Sequence, residues 1–221
     1  MYLFWDEKLV TDFSEANIAG MYKRGYVFTR KGKGVMQQTR SLRVDLVRFE
    51  LSSENRRVLK HVEGIEITAE SLPVENYDWK IGKLAKDFYQ KFGQNTFTAN
   101  KIKELLTDTN KSNFNALLSY SPSGSTAGKT TTGYAVCYAG KGFTHYSYPF
   151  YGIERSPKDM GLGMMTLAIM LCQEQGDRYI YLGSASRPTD TYKLQFSSLE
   201  WFNGEIWKQD YGELKQILKN A

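Results

Sequence analysis

The chain has 221 residues, enough for one large or two small domains and for a sizeable core. Its 41% hydrophobic and 14% aromatic content, with five Pro, excludes a disordered chain; two Cys and two His exclude a disulfide framework and a Cys/His-only structural zinc site. The net charge is +5, from 29 Lys and Arg against 24 Asp and Glu, which permits an anionic partner without requiring one.

In chain order, Met1 to Trp5 runs straight into Asp6 and Glu7, without the basic start and apolar run of a secretory signal. The longest apolar stretch, Gly161 to Cys172, is shorter than the ~20 residues of a membrane helix. The expectation is a soluble protein of a reducing compartment, the cytoplasm, with no membrane partner and with Cys137 and Cys172 as inert core thiols. Ser14 to Arg24 reads as a helix with Ser14 at its N-cap and Gly25 as its stop. Tyr26 to Thr29 and Ser41 to Phe49 read as strands; in the second, Leu42, Val44 and Leu46 alternate with Arg43 and Asp45. Ser52 or Ser53 caps a helix to about Val62, Gly64 to Thr68 is a further strand, and the Pro73 region is a linker.

This first part carries the charge. Between Met21 and Lys60 stand eleven Lys and Arg against three Asp and Glu, a balance of +8 that leaves −3 for the rest. Its cations interleave with Tyr22, Tyr26 and Phe28, as on surfaces that neutralise phosphates and stack unpaired bases; a solvated face on a small sheet has the same composition.

The pattern then changes. Asp78 to Phe92 and Ala99 to Leu106 read as amphipathic helices, with Leu84, Phe88 and Phe92 at helical spacing. Three strands follow: Asn113 to Tyr120, Thr132 to Tyr138 and Phe143 to Phe150. Next come a helix over Leu162 to Gln175, a short strand Tyr179 to Leu182, a helical turn around Tyr192 to Phe196, and a hairpin from Leu199 to Lys208 around Asn203-Gly204. Gly212 to Lys219 is a terminal helix, and no internal repeat is visible. This α+β layout, a mostly antiparallel sheet with one parallel splice, follows the element order of GNAT acyltransferases. It places a small basic α/β module at residues 1–75 before a GNAT-like transferase domain at 76–221.

Ser123 to Thr130 looks like a phosphate-binding loop but has Ser123 where the first Gly is needed and leads into a strand, so it reads as a hairpin loop. Lys158-Asp-Met-Gly161-Leu-Gly163 lies between a predicted strand and a predicted helix. It resembles the Gln/Arg-x-x-Gly-x-Gly/Ala loop with which GNAT enzymes hold coenzyme A pyrophosphate, and equally fits a helix start with small residues for packing. Tyr192-Lys193-x-x-Phe196 falls where GNAT enzymes often carry a Tyr that protonates a leaving group, or marks a core face of a helix. His145 reads as a satisfied strand residue and His61 as the end of a basic helix.

Two blocks resemble a family. Met21-Tyr-Lys-Arg-Gly-Tyr26, Leu42-Arg43-Val44 and Ser53-Glu-Asn-Arg56-Arg57-Val58-Leu59-Lys60 are similar to the N-terminal half of aminoacyl-tRNA–protein transferases, the arginyl and leucyl transferases of the N-degron pathway. Tyr179-Ile-Tyr181-Leu182-Gly183 and Tyr192-Lys193-Leu-Gln-Phe196-Ser-Ser-Leu-Glu200 resemble the family's Tyr-Val-Tyr-Leu-Gly strand and Tyr-Lys-x-x-Phe-x-Pro-x-Glu segment. The family's N-terminal cysteines are replaced here by the Gln37 to Arg40 region, so a metal or cluster site is not carried over. Ser198 replaces the family Pro, the loop from Gly183 to Tyr192 is about two residues shorter, and Val27 and Phe28 stand where the family is more basic.

The resemblance implies transfer of an amino acid, arginine or leucine, from charged tRNA to the α-amine of an acceptor protein. The tRNA ester is already activated, so alignment, proton acceptance and oxyanion stabilisation suffice, and no cofactor beyond the aminoacyl-tRNA co-substrate is implied. Tyr181, Tyr192 and Lys193 would line the catalytic cleft. Arg24, Arg40, Arg43, Arg56 and Arg57 would contact tRNA or an acidic acceptor, and Glu200 would orient Lys193 or recognise an amine. Two other readings stand beside it: an acetyl-CoA-dependent N-acetyltransferase that uses Lys158, Gly161 and Gly163, and a non-catalytic tRNA- or RNA-binding relative.

Overall fold

The structure, a computed structural model, describes residues 3–93, 97–124 and 131–220. Eleven strands and six α-helices alternate along these residues. β1 (Asp6–Leu9), α1 (Glu15–Lys23), β2 (Tyr26–Phe28), β3 (Val35–Gln38), β4 (Ser41–Asp45), α2 (Ser53–His61) and β5 (Ile65–Ser71) form the basic front. They are followed by α3 (Trp79–Gln90), α4 (Ala99–Thr107), β6 (Ala116–Pro122), β7 (Gly133–Gly140), β8 (Phe143–Tyr151), α5 (Met160–Glu174) and β9 (Tyr179–Ser184). A 3-10 helix over Pro188–Gln195, then β10 (Leu199–Phe202), β11 (Trp207–Lys208) and α6 (Tyr211–Lys219), complete the described fold.

Eight strands form one sheet in the order β11-β10-β4-β9-β8-β7-β6-β5, and β1-β3-β2 form a small antiparallel sheet. Within the large sheet β8 and β9 pair in parallel, and the other neighbours pair antiparallel. This is the expected α+β layout, a mostly antiparallel sheet with one parallel splice flanked by helices. The division near residue 75 separates the chain by charge, whereas the sheet interleaves the two sides: β4 lies between β9 and β10, and α2 packs on α5.

Side-chain alternation builds a core on each face. Leu42, Val44, Ile180 and Leu182 join Met164, Ala168 and Ile169 of α5, and Leu214 of α6, on one face. Tyr181, Val136 and Phe143 join Tyr22 of α1, Phe28 of β2, Phe88 of α3 and Ile102 of α4 on the other. The Leu162–Gln175 expectation is met by a helix apolar on nearly all sides, which is why α5 is buried. A reciprocal cap starts α2: Ser52 Oγ accepts from the Asn55 amide at 3.0 Å and Asn55 Oδ1 accepts from the Ser52 amide at 3.1 Å.

The expected Ser41–Phe49 strand stops at Asp45, because the Val47 amide turns back to Asp45 Oδ1 at 3.2 Å and the Arg48 amide to the Asp45 carbonyl at 3.2 Å. Of the loop from Ser123 to Thr130, residues 125–130 lie outside the described residues. Among the described residues no helix is long and apolar enough to cross a membrane, and no group of three or more His, Cys, Asp or Glu is placed to hold a metal ion.

Candidate active site

Parallel pairing of β8 and β9 extends only over Phe143–His145 and Tyr179–Tyr181. Beyond these residues β8 continues to Tyr151 alongside β7, and β9 continues to Ser184 alongside β4. The two strands therefore part, leaving a split in the middle of the sheet whose closed end is His145 and Tyr181. On β8, Val136 faces Tyr148 and Cys137 faces Tyr146, so Ser147 is the extra residue of a β-bulge. The bulge changes the alternation. Phe143 and His145 before it, and Tyr148 and Phe150 after it, all face the same aromatic core, while Tyr146 faces α5.

His145 is buried, and its Nδ1 lies 2.9 Å from the Tyr22 hydroxyl. The same hydroxyl oxygen accepts the Phe28 amide at 3.4 Å while carrying its own proton. Burial holds the Tyr22 phenol well above its ordinary pKa, which keeps that proton in place. Burial, with the positive charge of Lys193 added, holds the imidazole down at about 3. His145 is thus a neutral imidazole at the closed end of the split.

Lys193 comes from the 3-10 helix that follows β9. Asp190 Oδ2 accepts the amides of Ser186 and Arg187 at 2.8 and 2.9 Å, which folds this connection back over the strand end. The Lys193 side chain is only 9% exposed, and its ammonium donates to the Ser184 carbonyl at 2.9 Å. It forms no ion pair with a carboxylate among the described residues, and burial lowers its pKa. A buried ammonium with proton donors to spare is costly to the fold and suited to a developing negative charge.

Tyr192, next to it, is 45% exposed, and its phenol is pushed up to about 12 by desolvation, with Asp190 and Tyr151 adding to the rise. It is protonated at neutral pH and able to donate. Tyr151 and Tyr89, whose hydroxyl donates to the Pro149 carbonyl at 2.9 Å, stand on the β8 side of the same mouth.

The other expected site residues are elsewhere. Tyr181 is buried in the aromatic core, 4.9 Å from Tyr22 and 5.5 Å from Phe143 between ring centroids, and does not line an open cleft. Arg43 lies between the rings of Tyr179 and Trp207, 4.0 and 3.9 Å from their centroids, and donates from Nε and Nη2 to Glu200 at 2.8 and 2.7 Å. Register explains the pair, because Arg43 and Glu200 face each other across β4 and β10. Glu200 also accepts from Arg48 at 2.9 Å and Gln209 at 3.1 Å, so it orients Arg43 and not Lys193, and Arg43 is not a surface cation.

Arg24 and Arg56 are exposed; Arg24 reaches Met21 Sδ and Arg56 the Leu51 carbonyl. Half-buried Arg40 donates to the Ala185 carbonyl at 3.2 Å at the far end of β9, with a buried Nε that has no partner among the described residues. Arg57 bonds Glu54 at 2.6 Å and Asp159 at 3.1 Å.

That Asp159 belongs to the candidate phosphate loop, and its position there is informative. It precedes α5 with a positive φ of 61°, and its carboxylate is gripped by Arg57 and by His61 Nδ1 at 2.9 Å, which hold its pKa down. The negative charge nearest the α5 N-terminus is therefore the protein's own. A Cβ on Gly163 would stand 2.5 Å from Val62 Cγ1, so this glycine admits α2 against α5; one on Gly161 would stand 3.2 Å from the Tyr151 ring. Lys158 is exposed.

Sequence reasoning did not single out the Tyr22–His145 bond or the Tyr89–Tyr151–Tyr192 mouth. No local motif signals them, because each depends on strands distant in sequence. A cavity of about 200 Å³ lies outside the split, on the α5 face, and is lined in part by Cys137, Cys172 and Thr144. Burial raises both thiols, that of Cys172 to about 12.

No protein-family model and no curated protein sequence matches the chain. Solved structures are similar to it only distantly. The C-terminal domain (DUF2156) of a putative lysylphosphatidylglycerol synthetase from Agrobacterium fabrum is 12% identical with a TM-score of 0.49, over 82% of this chain and 55% of that one. L-PGS from Bacillus licheniformis is 12% identical with a TM-score of 0.47, over 92% of this chain and 70% of that one. A GCN5-related glucosamine N-acetyltransferase region of a fungal multi-domain protein is 10% identical with a TM-score of 0.49, over 86% of this chain and 22% of that one. This chain thus spans about half the length of the Agrobacterium protein. At these values the likeness carries no fold, substrate or activity across.

Proposed function

We propose that the split between β8 and β9 is the site of an aminoacyl transfer from charged tRNA to an amine, in the family's terms arginine or leucine to a protein N-terminus. The observation that carries this reading is the buried Lys193 ammonium, which donates to the Ser184 carbonyl and forms no carboxylate ion pair among the described residues, Asp190 acting on it only from beyond ion-pair range. In the reaction, the neutral acceptor amine forms a bond to the ester carbonyl carbon, and the carbonyl electrons move to oxygen beside Lys193. The bond to the ribose oxygen then breaks; Tyr192 protonates that oxygen and regains a proton from the attacking nitrogen. The products are an amide and uncharged tRNA, and no cofactor or metal is required by this balance. The residues that resemble aminoacyl-tRNA–protein transferases, among them Tyr192 and Lys193, support the tRNA ester as donor.

The test is transfer of labelled amino acid from a panel of charged tRNAs to peptides with varied N-termini, with uncharged tRNA and acetyl-CoA as parallel arms. Product from charged tRNA is expected. Absence of product across the panel overturns the reading, and acetylated peptide with acetyl-CoA replaces it by the N-acetyltransferase.

A further inference from the structure

The connection between β2 and β3, Thr29-Arg-Lys-Gly-Lys-Gly34, holds three cations in six residues and is pinned in place. Asn113, buried before β6, donates from Nδ2 to the Thr29 carbonyl at 2.9 Å and the Gly32 carbonyl at 2.7 Å, and accepts the Gly34 amide at 2.6 Å. Gly34 takes a φ of +78° with the Val10 carbonyl 2.2 Å from where a Cβ would lie, so the turn is closed to other residues. The loop backbone is thus tied down by Asn113, with Lys31 and Lys33 exposed, Arg30 half-buried and Thr29 and Gly34 buried.

Its cations rest on aromatic rings. The Arg30 guanidinium is 4.1 Å from the Phe97 centroid and 6.0 Å from that of Tyr148, and the Arg30 amide donates to the Tyr148 hydroxyl at 3.0 Å. Lys33 donates to the Ser112 carbonyl at 2.7 Å and lies 5.1 Å from the ring of Phe13, which is 43% exposed. Lys31 lies 5.2 Å from the ring of exposed Phe4 and pairs with Glu7. Arg30 and Lys33 have no carboxylate ion pair among the described residues. Tyr148 is three residues past His145 on β8, so at about 3.3 Å per residue the loop meets β8 about 10 Å from the closed end of the split.

We infer that the 29–34 loop is a phosphate-binding site for the RNA strand whose 3′ end delivers the ester to the split. Two cations with no carboxylate ion pair among the described residues, on a preorganised backbone with the exposed rings of Phe13 and Phe4 alongside, match the charge-and-stacking chemistry of single-stranded nucleic acid, while the buried Phe97 ring seats Arg30. This assignment rests on the proposed aminoacyl transfer only for the direction of the strand; phosphate binding by the loop stands by itself.

The experiment is fluorescence anisotropy of the whole protein with an RNA hairpin carrying an unpaired 3′ tail, from 50 to 200 mM salt. Arg30→Gln with Lys33→Gln removes both charges and keeps polar side chains, and thermal melting verifies the fold. Affinity at 50 mM salt is expected to fall about tenfold, and the slope of log affinity against log salt to shrink by about 1.4. Asn113→Ala, with every cation retained, is expected to weaken binding without that loss of slope; if it melts early, the double variant alone decides. Unchanged affinity and slope in a folded double variant overturn the inference. So does loss of binding to phosphatidylglycerol vesicles with RNA binding intact, which would make the loop a lipid surface. In the transfer assay the double variant should raise KM for charged tRNA. A wild-type protein that transfers nothing yet loses RNA affinity in this variant overturns the aminoacyl transfer and leaves the loop site standing.

Discussion

Lys193→Met separates a functional lysine from a structural one, because the two roles predict opposite signs for stability. Met has the length of the lysine stem and fills the same space. Removing a buried ammonium with no carboxylate ion pair among the described residues relieves a desolvation cost of several kcal/mol, and replacing buried ionic groups by apolar side chains of similar volume is worth up to about 1–4 kcal/mol. The Ser184 carbonyl, which now accepts at 2.9 Å, loses its donor, an offset of about 1 kcal/mol. The net expectation is a gain of about 0–3 kcal/mol at pH 7, read by urea denaturation, together with a fall of about 10²–10³ in single-turnover transfer, the usual loss when one oxyanion donor is removed. The pH dependence has a defined sign. Burial places the folded pKa of Lys193 below its unfolded value of about 10.4, so the variant's advantage is full below the folded pKa and closes as pH rises through it towards 10.4. A Lys193→Met protein less stable than wild type at pH 7, with transfer lost in parallel, would refute the reasoning and make the lysine part of the scaffold.

Tyr192→Phe should lower kcat about 10²-fold or more while leaving the Kd for charged tRNA within about twofold, since a phenol near pKa 12 acts as a proton donor; equal losses in both would make it a binding residue. His145 is held at about 3 against an unfolded value of about 6.5, so the stability it supports is present above pH 6.5 and lost as pH falls towards 3. Relative to His145→Gln, wild type should lose about 1.4 kcal/mol per pH unit across that window in chemical denaturation, and a flat difference would contradict the buried neutral ring. Gly163→Ala should cost about 1–3 kcal/mol because its Cβ meets Val62 Cγ1, and adding Val62→Ala should recover part of that cost. Were the glycine needed instead for a phosphate, the single substitution would leave Tm unchanged and abolish a thermal shift by coenzyme A.

The fold was largely legible where periodicity and capping coincide. Helices α2, α3 and α4 and the run β6–β9 start and end within a few residues of their expected places, because their apolar spacing, Ser52 and Asp78 caps and intervening Gly positions all favour the same elements. β1 and β3 were not legible. Asp6 to Leu9 and Val35 to Gln38 have no apolar alternation, and backbone pairing to each other and to β2 makes them strands. In the candidate site, position along the chain singled out Tyr192 and Lys193 but did not show the burial of Lys193. That burial arises from the connection after β9 folding back through Asp190. Arg43 and Glu200 were misplaced for the complementary reason: charge in a strand pattern reads as a solvated face, and only the register shows that they face each other.

The same distinction governs the basic front as a whole. A balance of +8 between Met21 and Lys60 describes a partner-binding surface only if those charges lack partners within the protein. Arg43 and Arg48 are neutralised by Glu200 and Asp45, and Arg57 by Glu54 and Asp159. Those ion pairs tie β4 to β10 and α2 to the start of α5, so their substitution would be read mainly in stability. Arg30 and Lys33 rest on aromatic rings, which attract a cation through their faces without cancelling its charge. An approaching phosphate therefore meets nearly the full field of the loop and only a remnant of the field of α2. Salt-dependent RNA affinity should accordingly follow Arg30 and Lys33 more closely than Arg57, although the two sets are indistinguishable by charge in the sequence.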